Sequence, residues 1–195
     1  MPHLGDYISP ELRYPVEMKV GQTLKLAAVL VLFGASSMAA ADTVTVTPAG
    51  PFGLGRVVSS SAVTTFTIST AGAVSQSPAA PPGARRLTTG TVTVATINVT
   101  CTACNGNAAS KLVTVTVAAT ASGARAKFSN FTRAGSATGA TVGSNTSGLP
   151  LVFTLQFTSN GTQTASIGLT ASIQVLTTGT TGTISLPFTV STSRP

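Results

Sequence analysis

Two cysteines stand three positions apart, in the order Cys101-Thr102-Ala103-Cys104, and redox pairs, zinc sites and short disulfides all use such spacing. A redox pair sits at a helix N-terminus, which lowers the pKa of the thiol, whereas this pair follows a predicted strand. A zinc ion needs four ligands, and the chain has no other Cys and no His beyond His3. We therefore expect a local disulfide between Cys101 and Cys104, which locks the loop between two strands.

A second candidate is the segment 125–133, which places three cations and two Phe within nine residues. Such interleaving is typical of nucleic-acid binding, where rings stack on bases and cations pair with phosphates. In an exported protein we favour the alternative, in which the Phe side chains are buried, because exposed Phe is unusual. Arg125, Lys127 and Arg133 then form a candidate patch for an anionic ligand, and nucleic acid is not an expected partner.

The positions of the titratable side chains exclude most catalytic chemistry. The 195 residues include four Asp or Glu and one His, and none of these follows Asp42. Ser and Thr are abundant beyond that point, but no His, Glu or neighbouring Asp is present there to activate a hydroxyl group. A Ser–Lys dyad is conceivable, although the spacing of Lys111 and Lys127 does not indicate one. We predict that the protein is not an enzyme and that it uses no cofactor and no metal.

The charge is strongly positive after the first part of the chain. Eight of the eleven Lys and Arg residues follow Thr43, and the formal net charge of the whole sequence is +7. This balance favours anionic partners such as lipopolysaccharide or acidic polysaccharide, through electrostatic steering that salt would screen.

Residues 18–41 have the features of a secretory signal peptide. A positively charged start precedes the apolar run 26–33, and small residues lead up to Ala41, directly before Asp42. The uncharged run 26–41 is shorter than the roughly 20 residues that a membrane-spanning helix needs. We expect cleavage between Ala41 and Asp42, export to the periplasm, cell surface or medium, and no integral membrane span afterwards.

Residues 1–17 differ from everything that follows, since they mix acids, prolines and aromatic residues. We expect translation to begin at Met18, which makes this stretch a start-site artefact. Residues 42–195 then have a length suited to one domain.

From Thr43 onward, bulky apolar residues alternate with polar ones, as in strands with one buried face. The clearest runs are 151–157, 167–175 and 184–190, and Gly, Pro, Ser and Asn clusters indicate turns between such runs. We predict about eight strands, no helix beyond the leader, and an antiparallel immunoglobulin-like β-sandwich, with a barrel as the alternative. The apolar positions also change from even to odd numbers after Val94, which predicts a bulge near Ala95.

Two features predict exposed strand edges. Proline cannot donate to a β-ladder, so the final apolar strand is expected at a sheet edge. The residues of this possible assembly edge are Ile184, Leu186, Pro187, Phe188 and Val190.

The second feature is the segment 42–47, where Thr and Val alternate, and which signal cleavage would free. A free alternating strand and an open edge are the two halves of β-strand addition between subunits. We expect self-association, or association with other surface subunits, by this route.

Short motifs add a resemblance to a known group. The pair Phe52-Gly53, the run 65–72 that ends in Gly72, and the closing strand 186–190 resemble small secreted all-β proteins of proteobacteria. These in turn resemble spore-coat-U proteins and archaic chaperone–usher pilin subunits. The resemblance implies an immunoglobulin-like sandwich and a role in surface fibres or adhesion.

Two functions follow as expectations. The first is a secreted or cell-surface structural or adhesive protein, pilin-like and without catalytic activity. The alternative is a monomeric extracellular module that binds anionic polysaccharide or lipopolysaccharide.

N-terminal sequencing of the exported protein is expected to begin near Asp42, because the small residues before it form the cleavage site. A mature chain that begins near Met1 would contradict both the signal peptide and the start at Met18.

Overall fold

Every regular element among the described residues is a β-strand, apart from one 3-10 turn at Ala109–Lys111. The predicted all-β class is therefore confirmed, whereas the immunoglobulin-like arrangement of the strands stays a prediction. The strands, in chain order, are β1 (Thr43–Pro48), β2 (Phe52–Val58), β3 (Thr64–Ile68), β4 (Val74–Ser77), β5 (Arg85–Arg86), β6 (Ala95–Thr102), β7 (Leu112–Ala119), β8 (Ala126–Arg133), β9 (Ala140–Val142), β10 (Ser147–Gly148), β11 (Leu151–Phe157), β12 (Gln163–Val175), β13 (Gly182–Leu186) and β14 (Phe188–Ser193).

A computed structural model describes residues 43–48, 50–79, 82–120, 125–177 and 181–195. The predictions for 1–17, for the signal peptide and for the cleavage site at Ala41 and Asp42 lie outside these residues.

The largest sheet has seven strands and is built around β12. Leu169 of β12 pairs with Ala95 of β6 on one side and with Arg133 of β8 on the other. The first part of β12, 163–169, pairs with β6, and the last part, 171–175, pairs with β3. Strand β3 pairs in turn with β4. Strand β1 extends the sheet from β6, and β10 extends it from β8.

Two smaller antiparallel sheets complete the fold. One has four strands in the order β14-β7-β11-β9, and the other has three in the order β13-β2-β5. Strands β13 and β14 are consecutive in the chain, yet they belong to different sheets.

Alternation buries one face of the strands, as predicted. Val113, Val115 and Val117 of β7 are buried, and so are the odd-numbered residues of 151–157 and 165–175. These faces contribute to one hydrophobic core. Burial stabilises the fold by roughly 1.5–3 kcal/mol for each large apolar side chain, which offsets the entropy lost on ordering the chain.

Four phenylalanine rings connect the three sheets within this core. Phe52 of β2 lies 5.5 Å from Phe188 of β14 and 6.0 Å from Phe128 of β8, measured between ring centroids. Phe131, also of β8, lies 4.5 Å from Phe128 and 6.0 Å from Phe188. The four rings therefore join one strand from each of the three sheets.

The final strand predicted around Pro187 is in fact two strands. Strand β13 ends at Leu186 and pairs with β2, whereas β14 begins at Phe188 and pairs with β7. Proline lacks the N–H that a continuous ladder requires, so the chain leaves one sheet at Pro187 and enters another. Both β13 and β14 end the order of strands given for their sheets.

The bulge predicted near Ala95 is wrong. Strand β6 begins at that residue and keeps an unbroken register with β1 and β12, because the valines before it belong to a different segment. Bulges occur instead in β8, where Ser129 has no residue opposite it, and in β2, where Leu54 has none.

Substitution of Gly55, beside the bulge in β2, tests whether its backbone must lie close to that of Gly90. Its φ is +69°, and an added Cβ would lie 2.9 Å from the carbonyl carbon of Gly90. Gly55→Ala is expected to lower the free energy of unfolding by about 2–4 kcal/mol, from left-handed strain together with crowding. Urea denaturation measures this loss.

Gly50→Ala is the matched control, because Gly50 has a φ of +56° and open space where a Cβ would stand. It is expected to lose only about 1–2 kcal/mol, from backbone strain alone. Equal losses in the two variants would show that the approach of Gly55 to Gly90 does not matter.

Candidate functional site

The three cations predicted to form an anionic-ligand patch do not share one exposed face. Lys127 is exposed on β8, whereas Arg133 on the same strand is buried. The cause is the bulge at Ser129, which places Phe131 and then Arg133 on the inward side. Arg125 is half-buried, and its Nη1 would lie 2.6 Å from a Cβ added to Gly182.

Arg133 is 6% exposed, and backbone carbonyls surround its guanidinium. Nε donates to the carbonyl oxygen of Asn145 at 2.7 Å, Nη1 donates to that of Ala134 at 2.8 Å, and Nη2 donates to that of Gly143. The guanidinium carbon also lies 5.7 Å from the centroid of the Phe153 ring. Burial lowers the pKa of Arg133, because the charged form loses its hydration.

These contacts hold a loop against the end of β8. The backbone N–H of Arg133 donates to Thr146, so main chain and side chain together fix residues 143–146. A surface anion does not reach a guanidinium placed in this way. Arg133 therefore acts on loop geometry.

The predicted disulfide between Cys101 and Cys104 is confirmed, and both residues are fully buried. Arg194, beyond β14, places Nη2 3.1 Å from Sγ of Cys104 and 3.6 Å from Sγ of Cys101. The same Nη2 donates to the carbonyl oxygen of Ser110. The disulfide loop is thus tied to the C-terminal segment.

A second set of bonds ties this loop to the turn between β11 and β12. The backbone N–H of Cys104 donates to the carbonyl of Gly161 at 3.1 Å, and the N–H of Gly161 donates to Oδ1 of Asn105 at 3.0 Å. These contacts give the cysteine pair a structural role in positioning two turns.

Comparison of the chain with known protein families, curated proteins and solved structures found no match. The resemblance to pilin-like proteins therefore stays an expectation from short motifs.

The described residues contain no helix long and apolar enough to cross a membrane. Nor do they include a group of three or more His, Cys, Asp or Glu side chains placed to hold a metal ion.

The N-terminal segment expected to be free is paired within its own chain. Strand β1 forms an antiparallel ladder with β6 that runs from Thr43 opposite Thr102 to Pro48 opposite Ile97. Val44 and Val46 of β1 pack against the core, while Thr43, Thr45 and Thr47 are exposed. Strand β1 ends the order of strands given for its sheet.

The predicted assembly edge has its apolar side chains turned inward. Ile184, Leu186 and Phe188 are buried, Val190 is half-buried and Pro187 is exposed. Any contact between subunits at this edge would therefore use the backbone of β13 or β14.

A group of arginines on the small sheet was not found from the sequence. Val58 of β2 pairs with Arg85 of β5 and Val57 pairs with Arg86, and beyond them the N–H of Leu87 donates to the carbonyl oxygen of Arg56 at 2.8 Å. Arg86 donates from Nε to the carbonyl of Leu54 at 2.7 Å, while Arg56 and Arg85 are exposed. About thirty positions separate Arg56 from the others, and only the register of β2 with β5 brings them together.

Replacement of Arg133 tests its role in holding the loop. Arg133→Ala is expected to lower the free energy of unfolding by about 3 kcal/mol, because several carbonyls lose a charged donor within a buried site. Urea denaturation followed by circular dichroism measures the change.

Lys127→Ala is the matched control, since this exposed cation lies on the same strand. Its expected effect is below about 0.5 kcal/mol. If the two variants were equally stable, the contacts of Arg133 would contribute nothing to the fold.

Proposed function

We propose that the protein is a structural or adhesive subunit of a bacterial surface, without catalytic activity, which associates by exchange of strand β1 between copies. The observation that carries this proposal is the position of β1. Among the described residues it pairs with β6 alone, and it lies at the end of its sheet.

Removal of β1 would open the edge of β6. The N–H and C=O groups that β6 directs toward β1 would lose their partners, and an unpaired edge is a template for a strand from another chain. A second copy could supply the same sequence, and with it the same register and the same two inward valines, Val44 and Val46. The contacts in an exchanged dimer or fibre would equal those within one chain, so exchange needs no new interface.

The connection from β1 to β2 suits such an exchange. Gly50 adopts a left-handed φ of +56° and Pro51 follows it, which constrains this short connection. Short hinge segments under constraint favour strand exchange, because an extended conformation relieves them. Gly50 and Pro51 also line a surface hollow together with Pro187 and Phe188, so the connection lies at the protein surface.

The absence of catalysis in this proposal rests on side-chain chemistry. All Asp, Glu and His residues precede Thr43, so the described strands lack a general base of these types. Hydroxyl groups on the sheet faces bond to one another, as Thr100 does to Thr164 at 2.9 Å and Thr67 to Ser172 at 3.2 Å. Such pairs extend sheet contacts without activating a nucleophile.

Paired cysteines across the β1–β6 ladder test strand exchange directly. Thr47 lies opposite Asn98, and both are exposed on the same face. In the mature chain carrying Thr47→Cys and Asn98→Cys, oxidation at high protein concentration is expected to give disulfide-linked oligomers on a non-reducing gel. The fraction of disulfide-linked oligomers should rise with the protein concentration at which the sample is incubated before oxidation, because exchange is bimolecular.

The control carries Thr116→Cys and Val152→Cys, which lie opposite each other in the β7–β11 ladder inside the four-stranded sheet. This pair is expected to give only intrachain disulfides. Monomers alone from the β1–β6 pair, at every concentration, would sink the proposal.

A further inference from the structure

The outer face of the small sheet carries two exposed arginines side by side. Val57 of β2 is buried, so its neighbours Arg56 and Val58 point to the opposite, outer face. Arg85 lies directly opposite Val58 and shares that face. Arg56 and Arg85 are therefore diagonal neighbours on adjacent strands, with Cα atoms about 7–8 Å apart.

We propose that Arg56 and Arg85 form a binding site for an anionic polysaccharide that carries repeated carboxylate groups. A guanidinium group binds a carboxylate through two parallel hydrogen bonds, and two guanidinium groups can hold one carboxylate or two successive ones. Thr183 of β13 lies opposite Arg56 and is exposed, which adds a hydroxyl group beside the pair. The carboxylates of such a polymer can accept from the guanidinium groups, and its sugar hydroxyls can bond to the hydroxyl of Thr183.

The charge balance at this face supports an external anion. Diagonal like charges repel, and no Asp or Glu occurs anywhere from Thr43 to Pro195 to compensate them. Arg86, on the inner side, uses donors on backbone carbonyls of Leu54 and Gly90. Within the described chain, Arg56 and Arg85 make no such bond, so their donors face solvent.

The surroundings favour a polysaccharide over nucleic acid or a membrane. The seven phenylalanines of the described chain are all buried, so no ring is available to stack on a base. The large apolar residues that the described chain exposes lie outside the three strands of this sheet; they are Val63, Val94, Leu149 and Val152. Val58 and Leu87, the apolar residues beside the two arginines, are half-buried, so the face offers mainly charge and hydroxyl groups to a ligand.

Binding to alginate, a polymer of uronic acids, tests the proposal, with dextran as the uncharged counterpart. The mature protein is expected to bind alginate at low ionic strength, to bind more weakly as salt rises, and to ignore dextran. In the variant with Arg56→Gln and Arg85→Gln, affinity for alginate should fall about tenfold. The thermal midpoint should stay the same or rise, because a repulsive pair has been removed.

The control variant carries Lys111→Gln and Lys127→Gln, which remove the same charge from other parts of the molecule. Its affinity for alginate should fall less than about threefold, which is half of the tenfold loss on a logarithmic scale. An equal loss in both variants would overturn the site in favour of general charge attraction, and so would binding of wild type that salt does not weaken.

Chemical protection and competing ligands provide two further tests. Alginate should protect Arg56 and Arg85 from modification by phenylglyoxal, as measured by mass mapping of peptides, and modification at an unchanged rate would count against it. Duplex DNA or anionic vesicles should bind the wild type more weakly than alginate. If duplex DNA or vesicles bound more tightly than alginate through Arg56 and Arg85, the assignment of a polysaccharide ligand would be overturned.

Discussion

Contact among four phenylalanine rings is the interaction on which the arrangement of the sheets depends. Phe52, Phe128, Phe131 and Phe188 come from β2, β8 and β14, and so from all three sheets. Each ring buries a large apolar area, and each aromatic pair adds about 0.5–1.5 kcal/mol. The bulge in β8 lets both of its rings point inward, and the break at Pro187 delivers the last ring from a different sheet. The bulge in β8 and the break at Pro187 therefore both place rings in this cluster.

The bulge in β8 also turns Arg133 inward, and the lack of acidic residues determines how the arginines are bonded. Because acids are lacking after Asp42, no arginine of the described chain can be neutralised by Asp or Glu there. Arg86, Arg133 and Arg194 donate instead to backbone carbonyls and so hold loops in place. Arg56 and Arg85 are exposed on the outer face of the small sheet and, within the described chain, make no such bond. A chain with almost uniform Thr and Ser faces thus separates its cations into structural groups and solvent-facing groups.

Local patterns in the sequence predicted the strands and their buried faces, because alternation depends only on neighbours. The faces of 151–157 and 167–175 and the bond between Cys101 and Cys104 are confirmed. The change of sheet at Pro187 and the proximity of Arg56 to Arg85 depend on pairing between distant segments, which alternation does not encode.

One misplaced residue had a local signal. Phe128 and Phe131 are three positions apart, so a regular strand cannot bury both. If both rings are inward, a bulge must lie between them, and Arg133 then shares the inward face with Phe131. The predicted patch of Arg125, Lys127 and Arg133 buried both rings and left all three cations exposed, whereas the bulge that buries both rings also turns Arg133 inward.

We propose that β1 can pair with β6 of a neighbouring copy in place of β6 of its own chain. Sedimentation velocity of the mature chain, beginning at Asp42 and measured over a wide range of concentrations, tests it most directly. Strand exchange predicts species at integral multiples of the monomer mass, with populations that grow as concentration rises. A single species at the monomer mass throughout, after incubation long enough for strands to open, would contradict the account.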